Sequence, residues 1–174
     1  HSKRGIGTNF TVRLPLVEGA SAKSPTASAP PHRGRGDTTE LPAAHVLIAE
    51  DNRINQQLVL AMTQSLGIDA RLANNGEEAV RAARAAASSG GAGFTLILMD
   101  IHMPGISGEE ATRQIRKFDT VIPIIALTAI SLDDSLDSFY DAGCNDVVTK
   151  PFKPEVFYQK IGENIFRSKM EGSI

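Results

Sequence analysis

The sequence of 174 residues contains no tryptophan and a single cysteine, and aromatic residues make up only 5% of it. One cysteine, Cys144, excludes a disulfide within the chain and is typical of a reducing compartment, where we expect a buried, unreactive thiol. No apolar stretch approaches the roughly 20 residues that cross a bilayer, and no secretory signal is recognisable. We therefore expect a cytoplasmic domain without direct membrane contact, even if its parent protein is anchored in a membrane.

Net charge is also small, at −2, but it is unevenly distributed. Residues 1–44 carry a net charge of +3, and residues 45–174 carry a net charge of −5. An acidic domain with few aromatic side chains binds nucleic acid poorly, because phosphates repel it and few rings can stack on bases. We expect no nucleic-acid partner.

Four apolar runs are present, and each ends in a polar or charged residue. Residues 45–49 precede Glu50 and Asp51, residues 94–99 precede Asp100, residues 122–127 precede Thr128, and residues 147–149 precede Lys150. Short runs rich in β-branched residues predict strands buried on both faces, as in a parallel sheet covered by helices. Ligands bind beyond the carboxyl ends of such strands, so we expect the five side chains to meet at one edge.

Strand and helix signals alternate from His45 onward, which predicts an α/β fold: a five-stranded, doubly wound parallel sheet with five helices. Residues 68–73 supply the remaining strand. Helices are expected after Asp51, over 76–87, from Ser107, from Ser131 with Asp133 and Asp134 in its first turn, and from Pro154. The first helix has Ile54, Leu58, Met62 and Leu66 at helical spacing, and the last has Val156, Phe157, Ile161 and Ile165 as its buried stripe.

The N-terminal quarter differs in composition. Residues 18–44 are rich in Ala, Ser, Pro, Gly and Thr without apolar periodicity, which predicts a flexible linker. Before it, the alternation from Phe10 to Leu14 predicts a half-buried strand. Because a lone strand is not a domain, we interpret residues 1–17 as the end of a domain that lies upstream, and residues 45–170 as the globular domain.

The residues at the predicted sheet edge suit one kind of chemistry. Three carboxylates gathered closely repel one another, and Mg²⁺, which prefers oxygen ligands, is their natural counter-ion. Asp100 can act as a nucleophile toward phosphorus and form an aspartyl phosphate. Lys150 and Thr128 can each contact a phosphoryl oxygen. Asn55 is expected to be a helix-surface residue rather than a ligand.

These residues resemble a known family. Four short segments carry the resemblance: Glu50-Asp51-Asn52, Met99-Asp100-Ile101-His102-Met103-Pro104 with Gly108, Leu127-Thr128-Ala129, and Lys150-Pro151-Phe152. In the order and spacing of these segments, residues 45 to about 168 resemble the response-regulator receiver domain. The resemblance implies that Asp100 accepts a phosphoryl group from phosphohistidine, with Mg²⁺ bound by Asp51, Asp100 and the main-chain carbonyl of His102. It further implies that Glu50 assists through water, Thr128 is the switch hydroxyl, Lys150 contacts phosphate, and the Lys150–Pro151 peptide is cis.

The start of the chain carries a second resemblance. The segment in question is Gly5-Ile6-Gly7-Thr8-Asn9-Phe10-Thr11-Val12-Arg13-Leu14-Pro15. It resembles the last glycine box and final strand of a histidine kinase ATP-binding domain. A kinase end, a linker and a receiver follow one another in hybrid sensor histidine kinases. This order implies phosphorelay or kinase regulation, with a histidine kinase core (own or cognate) and a histidine phosphotransfer protein as partners. The chain itself lacks the kinase core, so we expect a phosphoacceptor with self-dephosphorylation.

Two positions depart from the family pattern. Receivers commonly carry an aromatic residue three positions before the lysine, where this chain has Val147, so the usual coupling of that ring to the threonine is not expected. Ile130 lies two residues after Thr128, where a polar side chain could position water. We expect the apolar side chain to slow loss of the phosphoryl group.

Two other functions remain open at this point. A receiver fold can act as a docking module that signals without phosphorylation, although the full set of Asp51, Asp100, Thr128 and Lys150 favours the chemistry. A flavodoxin-like cofactor binder would use a similar sheet. Such a protein needs a phosphate loop after the first strand, where this chain has Asp51-Asn52-Arg53.

Overall fold

The computed structural model describes residues 2–3, 7–8, 43–89, 93–129 and 136–171. The chain divides into two compact units, His1–Thr38 and Thr39–Ile174. In the first unit, strands β1 (Ser2–Lys3) and β2 (Gly7–Thr8) pair antiparallel. The predicted strand from Phe10 to Leu14 and all but the last two residues of the predicted linker lie outside the described residues.

The second unit is a parallel sheet wound with helices. Along the chain it contains β3 (His45–Ala49), α1 (Arg53–Ser65), β4 (Asp69–Ala73), α2 (Gly76–Ser88), β5 (Leu96–Asp100), α3 (Gly108–Arg116), β6 (Ile124–Thr128), α4 (Asp137–Ala142), β7 (Asp146–Thr149) and α5 (Pro154–Glu171). The five strands lie in the order β4-β3-β5-β6-β7, and every neighbouring pair is parallel. The predicted doubly wound α/β fold is confirmed.

The central strands are apolar on both faces because helices cover both faces. Residues of α2, α3 and α4 pack on one face, against side chains that include Leu47, Ile97 and Ile124. Residues of α1 and α5 pack on the other, against neighbours in the same strands such as Ile48 and Leu98. Burying each large aliphatic side chain contributes about 1.5–3 kcal/mol. The two half-cores therefore stabilise the sheet that carries the polar strand ends.

The helices α1, α2 and α3 are each capped by the side chain of the residue before their first turn. The Oδ1 atom of Asn52 accepts hydrogen bonds from the N–H groups of Ile54 and Asn55, at 2.9 and 3.3 Å. Asn75 caps α2 in the same way, and Ser107 caps α3, as the sequence predicts. Such caps satisfy N–H groups that have no partner within the helix.

The predicted apolar face of α1 is wrong in part. Ile54 and Leu58 are 77% and 47% exposed, whereas the buried face of the helix includes Gln56 and Thr63. Both polar side chains can be buried because they find partners: Gln56 Nε2 donates to the carbonyl of Glu50 at 2.6 Å, and Thr63 Oγ1 donates to Val59 at 3.1 Å.

Other details also differ from the prediction. Val156 is 40% exposed, because α5 buries the neighbouring stripe of Phe157, Ile161 and Ile165 instead. The predicted helix start at Ser131, with Asp133 and Asp134, lies outside the described residues, and the described part of that helix begins at Asp137.

Cys144 is buried, as expected, and burial raises the pKa of its thiol despite a contact with Thr112 at 3.8 Å. Among the residues that the structure describes, no helix is both long and apolar enough to cross a membrane.

Candidate functional site

The five polar residues predicted at strand ends lie at one edge of the sheet. Glu50 and Asp51 follow β3, Asp100 ends β5, Thr128 ends β6 and Lys150 follows β7. The chain order of the strands reverses beside β3, which has β4 on one side and β5 on the other. Open α/β sheets form their ligand crevice at this reversal, outside the carboxyl ends of the strands.

Backbone hydrogen bonds hold these strand ends in register. The N–H of Ile101 donates to the carbonyl of Leu127 at 3.1 Å, and the N–H of Lys150 donates to the carbonyl of Thr128 at 2.6 Å. The peptide bond between Lys150 and Pro151 is cis, as the resemblance implies. Lys150 is therefore positioned by the strand that ends in Thr128.

Lys150 connects two of the three acidic residues. Its Nζ atom lies 2.7 Å from Glu50 Oε2 and 2.7 Å from Asp100 Oδ2. Burial alone lowers the pKa of Lys150, but the hydrogen bonds and negative charges of Asp100 and Glu50 outweigh it, so the pKa is raised. Both carboxylates are buried. The ammonium group is thus held in its charged form between two acceptors.

Glu50, Asp51 and Asp100 form a compact acidic cluster. Each offers one carboxylate oxygen, and these three oxygens lie within 4.8 Å of one another. The single ammonium of Lys150 leaves the cluster with a formal surplus of negative charge. Asp51 is exposed, so the cluster is open to solvent on its side. Oxygen ligands, negative charge and an open side match the preferences of Mg²⁺, which usually keeps several waters.

The second carboxylate oxygens of Glu50 and Asp100 are also hydrogen-bonded. Asp100 Oδ1 accepts from the main-chain N–H of His102 at 3.1 Å. Glu50 Oε1 accepts from the N–H of Asn52 at 3.2 Å and from Asn55 Nδ2 at 3.1 Å. These donors fix the direction in which each carboxylate presents its other oxygen, which is the one that Lys150 contacts.

Two predicted residues lie beside this group. Thr128 is fully buried at the end of β6, the strand next to that of Asp100. His102 is exposed, and its described contact with the cluster is the main-chain hydrogen bond to Asp100. The liganding role of the His102 carbonyl and the switch role of Thr128 stay predictions.

Gly108 allows α3 to begin close to the acidic strand end. A Cβ atom built on Gly108 would lie 2.1 Å from the carbonyl oxygen of Asp100, and the N–H of Gly108 donates to Ile101 at 3.0 Å. No side chain fits at that distance. The glycine therefore sets how closely the helix approaches the main chain that carries Asp100.

Sequence reasoning missed the role of the amides on α1. Asn55, expected at the helix surface, is half-buried and contacts the carboxylate of Glu50, while Gln56 contacts the carbonyl of the same residue. One signal was present in the sequence: Asn55 follows Asp51 by one helical turn, and helix side chains lean toward the N-terminus. A polar residue there is aimed back at the strand end.

Comparison with known proteins identifies the family. A model of the response regulator receiver domain matches residues 46–162. The chain belongs to this family. Residues 46–162, which include the acidic cluster and Lys150, are thus a receiver domain of the two-component signalling systems.

Two curated relatives are hybrid or sensor kinases. The chain is 37% identical over 124 residues to hybrid signal transduction histidine kinase I of Dictyostelium discoideum, covering 69% of this chain and 7% of that protein. It is 30% identical over 163 residues to the autoinducer 2 sensor kinase/phosphatase LuxQ of Vibrio cholerae, covering 92% and 18%. The chain therefore spans less than a fifth of the length of either relative.

Two solved structures share the fold. One is the receiver domain of sensor histidine kinase PA1611 from Pseudomonas aeruginosa, with a magnesium ion in its active-site cleft (35% identity, TM-score 0.60, covering 71% of this chain and 98% of that one). The other is the receiver domain of Ssk1 from Saccharomyces cerevisiae, crystallised with the histidine phosphotransfer protein Ypd1 (35% identity, TM-score 0.63, covering 71% and 89%).

Of the two positions that depart from the family pattern, Val147 is among the described residues and Ile130 is not. Val147 is buried on the α2–α4 side of the sheet, in the same cluster as Phe139 and Cys144. Ile130 lies outside the described residues, so its expected effect on phosphoryl loss stays a prediction.

Proposed function

We propose that this receiver domain takes a phosphoryl group from a phosphohistidine onto Asp100. The observation that carries the proposal is the double contact of Lys150 Nζ, at 2.7 Å from both Asp100 and Glu50, beside the exposed carboxylate of Asp51. In this arrangement one Asp100 oxygen attacks phosphorus and the bond from phosphorus to the imidazole nitrogen breaks. The product is an aspartyl phosphate and a free imidazole.

In this proposal Mg²⁺ is held by Asp51, Asp100 and the main-chain carbonyl of His102, with Glu50 acting through water. When bound, the ion supplies positive charge to the phosphoryl oxygens. Lys150 can shift from the Asp100 carboxylate to a phosphoryl oxygen while it keeps its hydrogen bond to Glu50. Thr128, at the neighbouring strand end, supplies a hydroxyl to another oxygen. Positioning and charge are the main requirements of phosphoryl transfer, so this residue set suffices.

We further propose that the parent protein is a hybrid histidine kinase. In this proposal residues 1–17 are the end of its ATP-binding domain, and residues 18–44 are a linker. The phosphoryl group comes from a histidine kinase core, either that of the same protein or that of a cognate kinase. The family model begins at residue 46, whereas the alignment with LuxQ covers 92% of the chain and so includes residues before it. A cytoplasmic position fits the single free thiol, Cys144.

A histidine phosphotransfer protein is the proposed acceptor in the relay. Such a protein must bring an imidazole to Asp100, so it has to contact the surface around the strand ends. Ile54 and Leu58, three and seven residues after Asp51, are exposed on one face of α1. An exposed apolar pair beside a charged pocket is suited to protein docking. The crystallised pairing of the similar Ssk1 receiver with Ypd1 supports this kind of partner.

Labelled phosphoimidazole, which has the chemistry of a phosphohistidine side chain, tests the proposed function. With Mg²⁺ it should label the wild-type chain, and Asp100→Asn should remove the label, because an amide oxygen is not a competent nucleophile. ATP and Mg²⁺ alone should not label the chain. Equal labelling of wild type and Asp100→Asn would refute Asp100 as the acceptor. Binding of Ypd1 without any transfer would favour a docking module.

A further inference from the structure

We propose that Asn55 is a positioning residue for the magnesium site. Its side-chain amide holds the Glu50 carboxylate in the orientation from which it faces Lys150 and the acidic cluster. The inference rests on the proposed function, since it concerns how the same pocket binds its ion. It assigns a role on α1, outside the strand ends that carry the predicted chemistry.

The contacts around Glu50 carry this proposal. Glu50 is fully buried, so its carboxylate depends on donors from the protein. Asn55 Nδ2 and the N–H of Asn52 both donate to Oε1, at 3.1 and 3.2 Å, and Lys150 donates to Oε2 at 2.7 Å. Asn55 and Lys150 therefore hold opposite oxygens of one carboxylate. Loss of the amide leaves the N–H of Asn52 as the described donor to Oε1, so the carboxylate can rotate more easily about its terminal torsion, which is soft.

Asn55 is itself held in place by the first turn of α1. Its N–H donates to Asn52 Oδ1, the helix cap, at 3.3 Å. The next residue, Gln56, donates to the carbonyl of Glu50 at 2.6 Å and to Asn74 Oδ1 at 3.0 Å. Adjacent amides of α1 thus fix both the side chain and the main chain of Glu50. The orientation of the carboxylate is coupled to the packing of the helix.

The network continues from there into α2. Asn74 Nδ2 donates to Glu78 Oε2 at 2.9 Å, and the N–H of Asn74 donates to the same atom at 2.8 Å. These two hydrogen bonds lower the pKa of Glu78, which keeps its carboxylate charged as an acceptor. Gln56 therefore has a partner that is itself hydrogen-bonded, and the first turn of α1 is connected to the segment between β4 and α2.

The chemistry of the amide explains why this residue type suits position 55. A carboxamide donates a hydrogen bond to Glu50 without adding charge. Lysine or arginine at this position would neutralise the acidic cluster and compete with a bound cation, and aspartate would repel Glu50. The neutral donor orients Glu50 and leaves the negative charge of the cluster available for the ion. Hydrogen-bond partners of ligands tune metal affinity in this way.

A titration with Mg²⁺ alone, followed by backbone amide chemical shifts, tests the proposal. The variant Asn55→Leu keeps the branched shape of the side chain and removes the donor. We expect its dissociation constant for Mg²⁺ to rise about tenfold. Asn55→Gln retains a donor and should recover most of this loss. Gln57→Leu is the matched control: this exposed amide on the same helix turn should leave the constant within about twofold of wild type.

A second readout separates positioning from a general loss of structure. At saturating Mg²⁺ the rate of labelling of Asn55→Leu by phosphoimidazole should return to within about twofold of wild type, because the defect lies in ion binding. A Mg²⁺ affinity equal to that of wild type, or a labelling rate that stays low at saturation, would overturn the proposal. If Asn55→Leu fails to fold, Asn55→Ala carries the same test. A wild-type chain that binds no Mg²⁺ refutes the proposed function instead.

Discussion

At the scale of single residues, one ammonium group balances the negative charge of two buried carboxylates. Lys150 is hydrogen-bonded to two buried carboxylates, so it is the counter-charge of both Glu50 and Asp100. Removing one partner of a buried ion pair leaves charge without compensation, which costs more than the pair itself contributes. A metal ion placed in the same cluster can supply the missing charge.

The charge balance in the pocket predicts the behaviour of Lys150→Met. Without metal the variant should lose about 3 kcal/mol of unfolding free energy, since two buried carboxylates lose their ammonium. Added Mg²⁺ should recover more stability in the variant than in wild type, because the ion replaces the lost charge. Urea unfolding at several Mg²⁺ concentrations measures both effects. An equal response to Mg²⁺ in the two proteins would contradict the role given to Lys150.

Lys160 provides the matched control. It forms an ion pair with Asp146, whose side chain, like that of Lys160, is partly buried. Lys160→Met should also destabilise the protein, but Mg²⁺ should not restore it preferentially, since Asp146 lies at the start of β7, at the opposite end of the strand from Lys150.

The residues that form the pocket could be predicted, but its supporting contacts could not. Glu50, Asp100, Thr128 and Lys150 were identified because a polar residue after a buried strand has a defined place at the sheet edge. Asn55 and Gln56 belong to a helix, where an amide is compatible with either solvent or a buried partner. Which of these applies depends on the angle at which α1 packs on the sheet, and the sequence pattern does not specify that angle.

At the scale of elements, buried strands were predicted better than helix faces. The three central strands β3, β5 and β6 are buried almost throughout, so no choice of face is needed for them. For α1 the apolar pattern offered Ile54 and Leu58, but the helix buries Gln56 and Thr63 because hydrogen-bond partners exist inside. Hydrophobic periodicity takes no account of hydrogen-bond partners, so it placed Met62 correctly on the buried face but also assigned Ile54 and Leu58 to it.

The end of α3 is fixed by a half-buried arginine. Arg116 donates to the carbonyl of Gly143 at 2.9 Å, to the carbonyl of Asp119 at 3.1 Å and to Asn145 Oδ1 at 2.8 Å. Burial lowers its pKa, although the group stays charged with Asp119 nearby. One side chain thus ties α3 to the segment between α4 and β7.

We predict that Arg116→Met destabilises the protein by about 1–3 kcal/mol, because carbonyl and amide oxygens lose their donor. Arg113→Met on the same helix is the control. Its guanidinium is half-exposed and lies 3.9 Å from Glu109 and Glu110, so its loss should cost less than about 0.5 kcal/mol. Urea unfolding compares the two variants. Equal effects would show that the hydrogen bonds of Arg116 do not stabilise this end of the helix.

At the scale of the whole receiver domain, the strand order makes the pocket. The order β4-β3-β5-β6-β7 places the ends of β3 and β5 side by side, although Glu50 and Asp100 lie 50 positions apart in the sequence. Alternation of strands and helices predicted this arrangement, because parallel strands joined by helices follow few topologies. The exposed apolar pair on α1 was not predicted, since the same residues were assigned to the core.

The exposed side chains of Ile54 and Leu58 predict where the phosphotransfer partner docks. Ile54→Glu and Leu58→Glu should slow phosphoryl transfer to or from Ypd1 by about tenfold or more, because an apolar contact is replaced by a buried charge. Labelling by phosphoimidazole should be unchanged, since that donor needs no docking surface. Met170→Glu, at an exposed position near the end of α5, is the control. Unchanged transfer in both α1 variants would exclude this face as the docking surface.

The identity of the acceptor is the central claim, and mapping the phosphorylated residue tests it most directly. Borohydride reduces an acyl phosphate to the corresponding alcohol, so an aspartyl phosphate becomes homoserine at its own position. After incubation with phosphoimidazole and Mg²⁺, peptide mass spectrometry should find homoserine at position 100, and it should be absent when Mg²⁺ is removed. Reduction at position 50 or 51 instead, or at no carboxylate, would contradict the proposed function.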